Sequence, residues 1–526
     1  PHTSRIERHL PLHPLSAPPH HPLTRKTSLT RIAVSEKSRN FAPRLQIAAS
    51  LAATRMKISH MLLFMLAIFA GLAYISENIP PEGIQAGPFN LTFPKKEEAL
   101  YVELIKAPDA DSTRKITPED IIRLREQALR DDKEYVNYME NDPARIHLPY
   151  DDYLDPVFTA LDSASKRPIR IMHYGDSQIE MDRISCYLRE RFQQEYGGMG
   201  AGLMPALQTV PTFTISQSIT PSPVYYLPYT ADTVHQVRQD KDYGPMARCA
   251  LLSSSAKFTC RPNSSNKNYR LAGKFRTFTV LAHGNISATC SSGGRSIAMQ
   301  NTAANGAEML ILKATFPDTV TNATISLSGS GLIYGIAGDG VNGVSLDNVP
   351  MRGCTGTIFT RMKEDALREY YSHYDVSLII LQYGGNAVPG LNSDKSISSF
   401  KEKLRAQIQL FKRLSPKTRI LFIGPADMAK SVEGSYRTYS RLPQVIDSIR
   451  AVSIDEGIAF WNMYDAMGGY GSMVQWVKSG LAGKDYLHFS NKGASEMARI
   501  LYETLTFIRN HRKKAEQEVN AMTMNQ

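Results

Sequence analysis

Three short, largely apolar runs in the C-terminal half, Val376 to Leu381, Arg419 to Ile423 and Ile458 to Trp461, alternate with stretches of a different period. In those stretches the apolar residues recur every three or four positions: Phe400, Leu404, Ile408, Phe411 and Leu414; then Val445, Ile446, Ile449 and Val452; then Ala494, Met497, Ile500, Leu501 and Ile508. A continuous apolar run bounded by turn residues reads as a strand buried on both faces, and the longer period reads as a helix with one buried stripe. Strands alternating with helices predict a parallel sheet with helices on both faces. The same texture occurs earlier. Ile169-Arg170-Ile171-Met172-His173-Tyr174 reads as a strand, and Ile179, Ile184, Tyr187, Leu188 and Phe192 stripe a helix expected to follow directly.

Residues 206–340 differ. Thr, Ser, Asn and Gly dominate, and short alternating runs appear at Arg276–Leu281, Glu308–Phe316 and Ala323–Leu327. Period two between turn residues predicts an antiparallel β-sandwich. Its place in the chain makes it a domain inserted into the α/β unit, which then comprises 166–205 and 341–515, with 516–526 as a tail. The glycine cluster Tyr196 to Gly202 lacks the Lys-Ser/Thr ending of a phosphate loop and follows a helix, so it reads as the loop leaving the α/β unit. Ahead of it, 76–165 read as a linker and lead helices. Thr117-Pro118-Glu119-Asp120 has the cap, proline and acids of a helix start, and a second helix is expected around Tyr153 to Leu161.

The formal charge of +11 is unevenly spread: residues 1–55 carry nine Lys or Arg and two acids, which leaves +4 on the rest. The folded part has no clustered basic-aromatic surface, which argues against a nucleic-acid partner. The basic run Arg509, Arg512, Lys513, Lys514 is expected to complement a helix C-terminus. Residues 1–55, rich in Pro, His, Ser and Arg, read as disordered and as lying upstream of the natural start at Met56. From there Lys57 and the apolar run Met61 to Ile75 read as a signal peptide or short membrane anchor, with Gly71-Leu72-Ala73 as a cleavage site. This places the remainder outside the cytoplasm, with membrane contact through 61–75 as one outcome. The five cysteines, Cys186, Cys249, Cys260, Cys290 and Cys354, lack metal-ligand spacing. A Cys249–Cys260 disulfide is one expectation for an exported chain.

The chemistry gathers at Gly175-Asp176-Ser177, between a strand and its helix. A serine there sits at the carboxyl edge of a parallel sheet, where open α/β folds bind ligands. Two distant segments complement it: Gly384-Gly385-Asn386 after the strand run at 376, and Asp485-Tyr486-Leu487-His488 near the C-terminus. Serine needs a base to take its proton. His488 is the candidate, with Asp485 to fix its tautomer.

In order and type these blocks resemble those of the SGNH, or GDSL, hydrolases, over 165–205 and 341–510. The resemblance implies a flavodoxin-like parallel sheet flanked by helices. It implies Ser177 as nucleophile, and the Ser177 N–H, a glycine N–H and the Asn386 amide as an oxyanion hole. The glycine block is Arg352-Gly353-Cys354-Thr355-Gly356-Thr357, with Gly356 preferred to Gly353. The usual Gly-x-Asn-Asp ends here in Ala387, which removes a carboxylate. Asp176 is expected to brace the turn. Glu180, Asp182 and Arg183 read as first-turn charges or substrate contacts, His173 as a packed strand residue, and Asp427 as a loop cap or functional acid.

An inserted β-rich module in an exported hydrolase resembles the bacterial peptidoglycan O-acetylesterases. The implied activity is removal of acetyl from an extracytoplasmic glycan through an acyl-Ser177 intermediate, with no metal or organic cofactor. Two alternatives remain at this level: a glycan O-acetyltransferase with the same triad, and a non-catalytic glycan-binding envelope protein.

Overall fold

The computed structural model describes residues 117–228 and 235–524, and two short strands, Ile84–Ala86 and Phe89–Leu91, that pair antiparallel. The readings made for residues 1–55 and 56–75 lie outside the described residues.

Five parallel strands form the centre: β1 (Pro168–Gly175), β2 (Gly343–Pro350), β3 (Val376–Gln382), β4 (Arg419–Ile423) and β5 (Ala459–Trp461). Their spatial order is β2-β1-β3-β4-β5, with Ile146–His147 added antiparallel beside β5. This is the flavodoxin-like order, in which the chain reverses direction across the sheet between β1 and β3. The intervening helices are α1 (Ser185–Tyr196), α2 (Asp365–His373), α3 (Asp394–Leu414), α4 (Leu442–Asp455) and α5 (Asn491–Met524). Successive residues of β1 show the two layers. The Tyr174 hydroxyl meets Tyr371 of α2 at 2.9 Å, and His173 meets Ser185 of α1 at 2.9 Å. Period two sends the side chains to opposite faces.

Strand β2 is not evident in the apolar pattern because Ser345, Asp347 and Asn348 interrupt it. Asp347 is fully buried nonetheless. It accepts from Arg170 of β1 at 2.5 Å, from the Leu203 N–H at 2.7 Å and from the Tyr370 hydroxyl at 3.2 Å. Arg170 also binds Asp339 at 2.5 Å, at the end of the last strand of the inserted module. A charge so placed is tolerated only because its partners are fixed.

The helix after Ser177 starts later than its stripe predicts, at Ser185, after a 3₁₀ turn at Glu180–Asp182. Met181 and Asp182 hold φ of 63° and 66°. Left-handed backbone costs a non-glycine residue roughly 1–3 kcal/mol. The buried Asp182 carboxylate offsets this by binding Arg189 at 2.6 and 3.0 Å and the Thr214 hydroxyl at 2.7 Å.

The inserted module is one continuous eleven-stranded, mostly antiparallel sheet that wraps around its own core of Phe258, Phe278, Phe316 and Ile325. Two long strands, Phe275–Ser292 and Ala323–Asp339, pair over most of their length and run through both halves. The expected inserted antiparallel β-rich domain is therefore built as one sheet. Alternate residues of the long strands, Leu281 and Leu332 among them, face away and join the core of the parallel sheet. The module leaves and returns side by side. At Gly200, φ +97°, a Cβ would lie 2.1 Å from the Gly338 carbonyl oxygen, so only glycine allows this crossing.

All five cysteines are free and buried, which corrects the Cys249–Cys260 expectation. The two lie in different strands, Cys249–Leu252 and Ser255–Pro262, each paired to other neighbours. Thr117 caps Pro118–Asp131 through a reciprocal capping box. The second lead helix spans Asp155–Asp162. Helix α5 runs through the residues read as a tail, so the basic run lies mid-helix. Lys513 binds Asp162 at 2.8 Å and Lys514 binds Asp132 at 3.0 Å; Arg509 and Arg512 bind Asp162 and Asp155. These cations hold the lead helices and do not complement a helix end. Among the described residues no helix is long and apolar enough to cross a membrane.

Candidate active site

The carboxyl ends of β1 and β3 flank the reversal point, and the loops leaving them carry Ser177 and Asn386. A third loop, just before α5, brings His488 to the same edge. Ser177 Oγ lies 2.7 Å from His488 Nε2, and His488 Nδ1 lies 2.8 Å from Asp485 Oδ2. A carboxylate only accepts, so Nδ1 carries the proton and Nε2 is left to accept from the serine hydroxyl. The turn is fixed from within. Asp485 Oδ1 accepts the N–H groups of Leu487 and His488, both at 3.1 Å, and Tyr486 adopts φ 58°. Burial raises the Asp485 carboxyl, but the hydrogen bonds from the His488 ring and these two N–H groups outweigh it and hold it below its ordinary value.

Two residues clamp the serine loop to the histidine loop. Gln178 Nε2 donates to the Leu487 carbonyl at 2.5 Å, and its Oε1 accepts the Phe489 N–H at 3.3 Å. Arg183 donates to the Phe489 and Ser177 carbonyls, both at 3.1 Å. Sequence reasoning gave Gln178 no role and read Arg183 as a first-turn charge or a substrate contact, not as a clamp. Their partners are backbone groups, which leave no mark on side-chain spacing.

Asn386 Nδ2 donates to Asp176 Oδ2 and to the Cys354 carbonyl, both at 3.2 Å. The glycine block therefore lies beside this amide. Gly356 is buried with φ +88°, and a Cβ there would sit 2.6 Å from Tyr383 Cβ. Its N–H points at Cys354 Sγ, 3.4 Å away. Gly353 also has positive φ but is exposed, with open space where a Cβ would be. Asp176 is buried, and its other oxygen accepts the Gln178 N–H at 2.9 Å. Burial pushes its carboxyl up to about 6, against the lowering effect of the Gln178 N–H, His488, Arg183 and Asn386.

The remaining sequence candidates take structural positions. His173 is fully buried between Ser185 and Gln382, at 2.9 and 3.0 Å, and burial lowers it to about 4. Glu180 receives Arg352 through three contacts of 2.6–3.1 Å, and Asp182 receives Arg189. Asp427 lies in the pocket wall and accepts the Met473 N–H at 2.8 Å, bracing the following short helix. Among the described residues no three His, Cys, Asp or Glu side chains are grouped to hold a metal ion.

A pocket of about 160 Å³ opens beside Ser177 and His488, walled by Asn386, Pro425, Met428, Tyr439 and Met463. A hairpin, Ala429–Val432 with Ser435–Thr438, rises from this wall. Its turn residues Glu433 and Gly434 both have positive φ, 50° and 76°. Glu-Gly carries a weaker turn signal than Asn-Gly, and the hairpin was not foreseen.

No protein-family model matches the chain, and no curated protein matches it in sequence. Solved structures do resemble it. A peptidoglycan O-acetylesterase superposes with a TM-score of 0.55 at 20% identity, over 69% of this chain and 99% of that one. A family two carbohydrate esterase from Cellvibrio japonicus (TM-score 0.23, 10% identity, 57% of this chain and 99% of that one) is a more distant likeness. So is an acetyl xylan esterase (0.25, 16%, 31% and 81%). The first of these shows a common fold, and the flavodoxin-like sheet with a β-rich insertion described above is consistent with it.

Proposed function

We propose that this chain is a serine ester hydrolase of the SGNH type that removes O-acetyl groups from an extracytoplasmic glycan. The observation that carries the reading is the 2.7 Å contact between Ser177 Oγ and His488 Nε2, with Asp485 on the far ring nitrogen. The fold shared with a peptidoglycan O-acetylesterase supports the acetyl-glycan class. The apolar run 61–75 supports export.

In this reading His488 Nε2 takes the Ser177 proton as Oγ attacks the acetyl carbonyl. Asp485 stabilises the imidazolium that results. The oxyanion is met by the Ser177 N–H, the Gly356 N–H and the Asn386 amide. Each such donor lowers the barrier by roughly 3 kcal/mol. Asn386 is already oriented by Asp176, so the role of the carboxylate missing at Ala387 falls in part to Asp176. To reach the oxyanion, the amide exchanges its contact with the Cys354 carbonyl for one with substrate. His488 then returns its proton to the departing sugar hydroxyl, leaving acetyl-Ser177. Water, activated by the same ring, releases acetate. The small pocket favours acetyl over long acyl chains.

The test is acetate release from O-acetylated peptidoglycan, with and without added de-acetylated glycan as acceptor. Hydrolysis predicts acetate at a rate the acceptor does not change. Acetate falling as acetylated acceptor accumulates marks a transferase. No turnover of either the glycan or p-nitrophenyl acetate marks a binding protein.

A further inference from the structure

The pocket at Ser177 is acetyl-sized, below the ~300 Å³ at which pockets begin to enclose whole ligands. A sugar bearing the ester must therefore extend beyond the pocket, and the hairpin rising from the pocket wall carries a partly exposed aromatic, Tyr436. We propose that Tyr436 is a glycan subsite, a platform on which a pyranose ring of the acetylated chain stacks. This deepens the hydrolase reading and rests on it for the identity of the ligand.

The placement follows from the hairpin. Met428 and Tyr439, at its two ends, line the pocket, and the Ala429 N–H donates to the Tyr486 carbonyl at 3.0 Å. Its register puts Tyr436 opposite Ser431, a small neighbour that leaves the ring uncrowded. The Tyr436 ring lies flat on Tyr486, with centroids 3.6 Å apart and planes within 10°. Tyr486 belongs to the same turn as Asp485 and His488, so the stack is fixed to the loop that carries the catalytic histidine. One face of Tyr436 is used in this contact, yet the residue remains 44% exposed. The ring is already ordered, so binding costs little further side-chain entropy. A flat apolar face with a hydroxyl at its edge matches a pyranose, which presents C–H groups on its face and hydroxyls around its rim.

The test compares kcat/KM for acetate release from soluble O-acetylated peptidoglycan fragments with that for p-nitrophenyl acetate. In Tyr436→Ala the glycan-to-small-ester ratio should fall about tenfold or more, through KM. In Tyr436→Phe, which keeps the ring, it should stay near the wild-type ratio. An unchanged ratio in Tyr436→Ala overturns the subsite, including the case in which both rates fall together because the stack only steadies His488. A second measurement does not depend on turnover. Binding of the same fragments to Ser177→Ala protein should weaken about tenfold, ~1.4 kcal/mol, when Tyr436→Ala is added. Equal binding, or none in either protein, overturns the subsite. Binding that depends on Tyr436 in a wild type without esterase activity keeps the subsite and sinks the hydrolase reading.

Discussion

At the scale of single residues the site is a set of fixed donors and acceptors, and each has a separable consequence. In the proposed mechanism Asn386→Ala removes one oxyanion donor. It should lower kcat about 10²- to 10³-fold with KM little changed; an effect confined to KM would contradict the role. Asp176 makes a prediction about pH. Its folded value, about 6, lies above the ordinary 3.8, so folding favours the protonated form. The stability it contributes is complete below 3.8 and is lost as pH rises through 6. Asp176→Asn cannot ionise and escapes that loss. Relative to wild type its melting temperature should therefore be higher at pH 8 than at pH 4. A gap independent of pH would contradict the burial argument. The residues readable from sequence were those whose chemistry needs a particular side chain: Ser177, Asn386, Asp485, His488. The clamping roles of Gln178 and Arg183 were not, because they act on backbone groups that any residue supplies. The choice between Gly353 and Gly356 needed the structure, since both are turn glycines and only one is packed against Tyr383.

At the scale of elements, apolar runs revealed β1, β3, β4 and β5 but not β2. Its Asp347 is a core residue only because Arg170, Leu203 and Tyr370 meet it from three other segments. The ion pairs among Arg170, Asp347 and Asp339 join β1, β2 and the end of the module. Arg170→Ala should destabilise the fold by about 3–5 kcal/mol, seen as a large drop in melting temperature, because it strands two buried carboxylates. A change under about 1 kcal/mol would mean the carboxylates find water or protons instead. The late start of α1 was equally hidden. The apolar stripe from Ile179 continues across the break, and the left-handed pair Met181–Asp182 is imposed by Arg189 and Thr214. The hairpin at 429–438 was missed because Glu433-Gly434 is an uncommon way to write its turn.

At the scale of the whole molecule, the α/β class and the inserted β-rich module were legible as a change of period from mixed runs to strict alternation and back. The continuity of the module's sheet was not, since strand pairing is set by contacts far apart in sequence. The same limit applies to the central claim. Loops separated by more than three hundred residues in the chain (Ser177 and His488) must meet at one sheet edge to make a nucleophile. Labelling with a serine-directed fluorophosphonate, mapped by mass spectrometry on native protein, reads this most directly. The account predicts one adduct per chain, on Ser177, with the rate falling at least about 10²-fold in His488→Ala. Labelling absent from Ser177, or equally fast without His488, would contradict it.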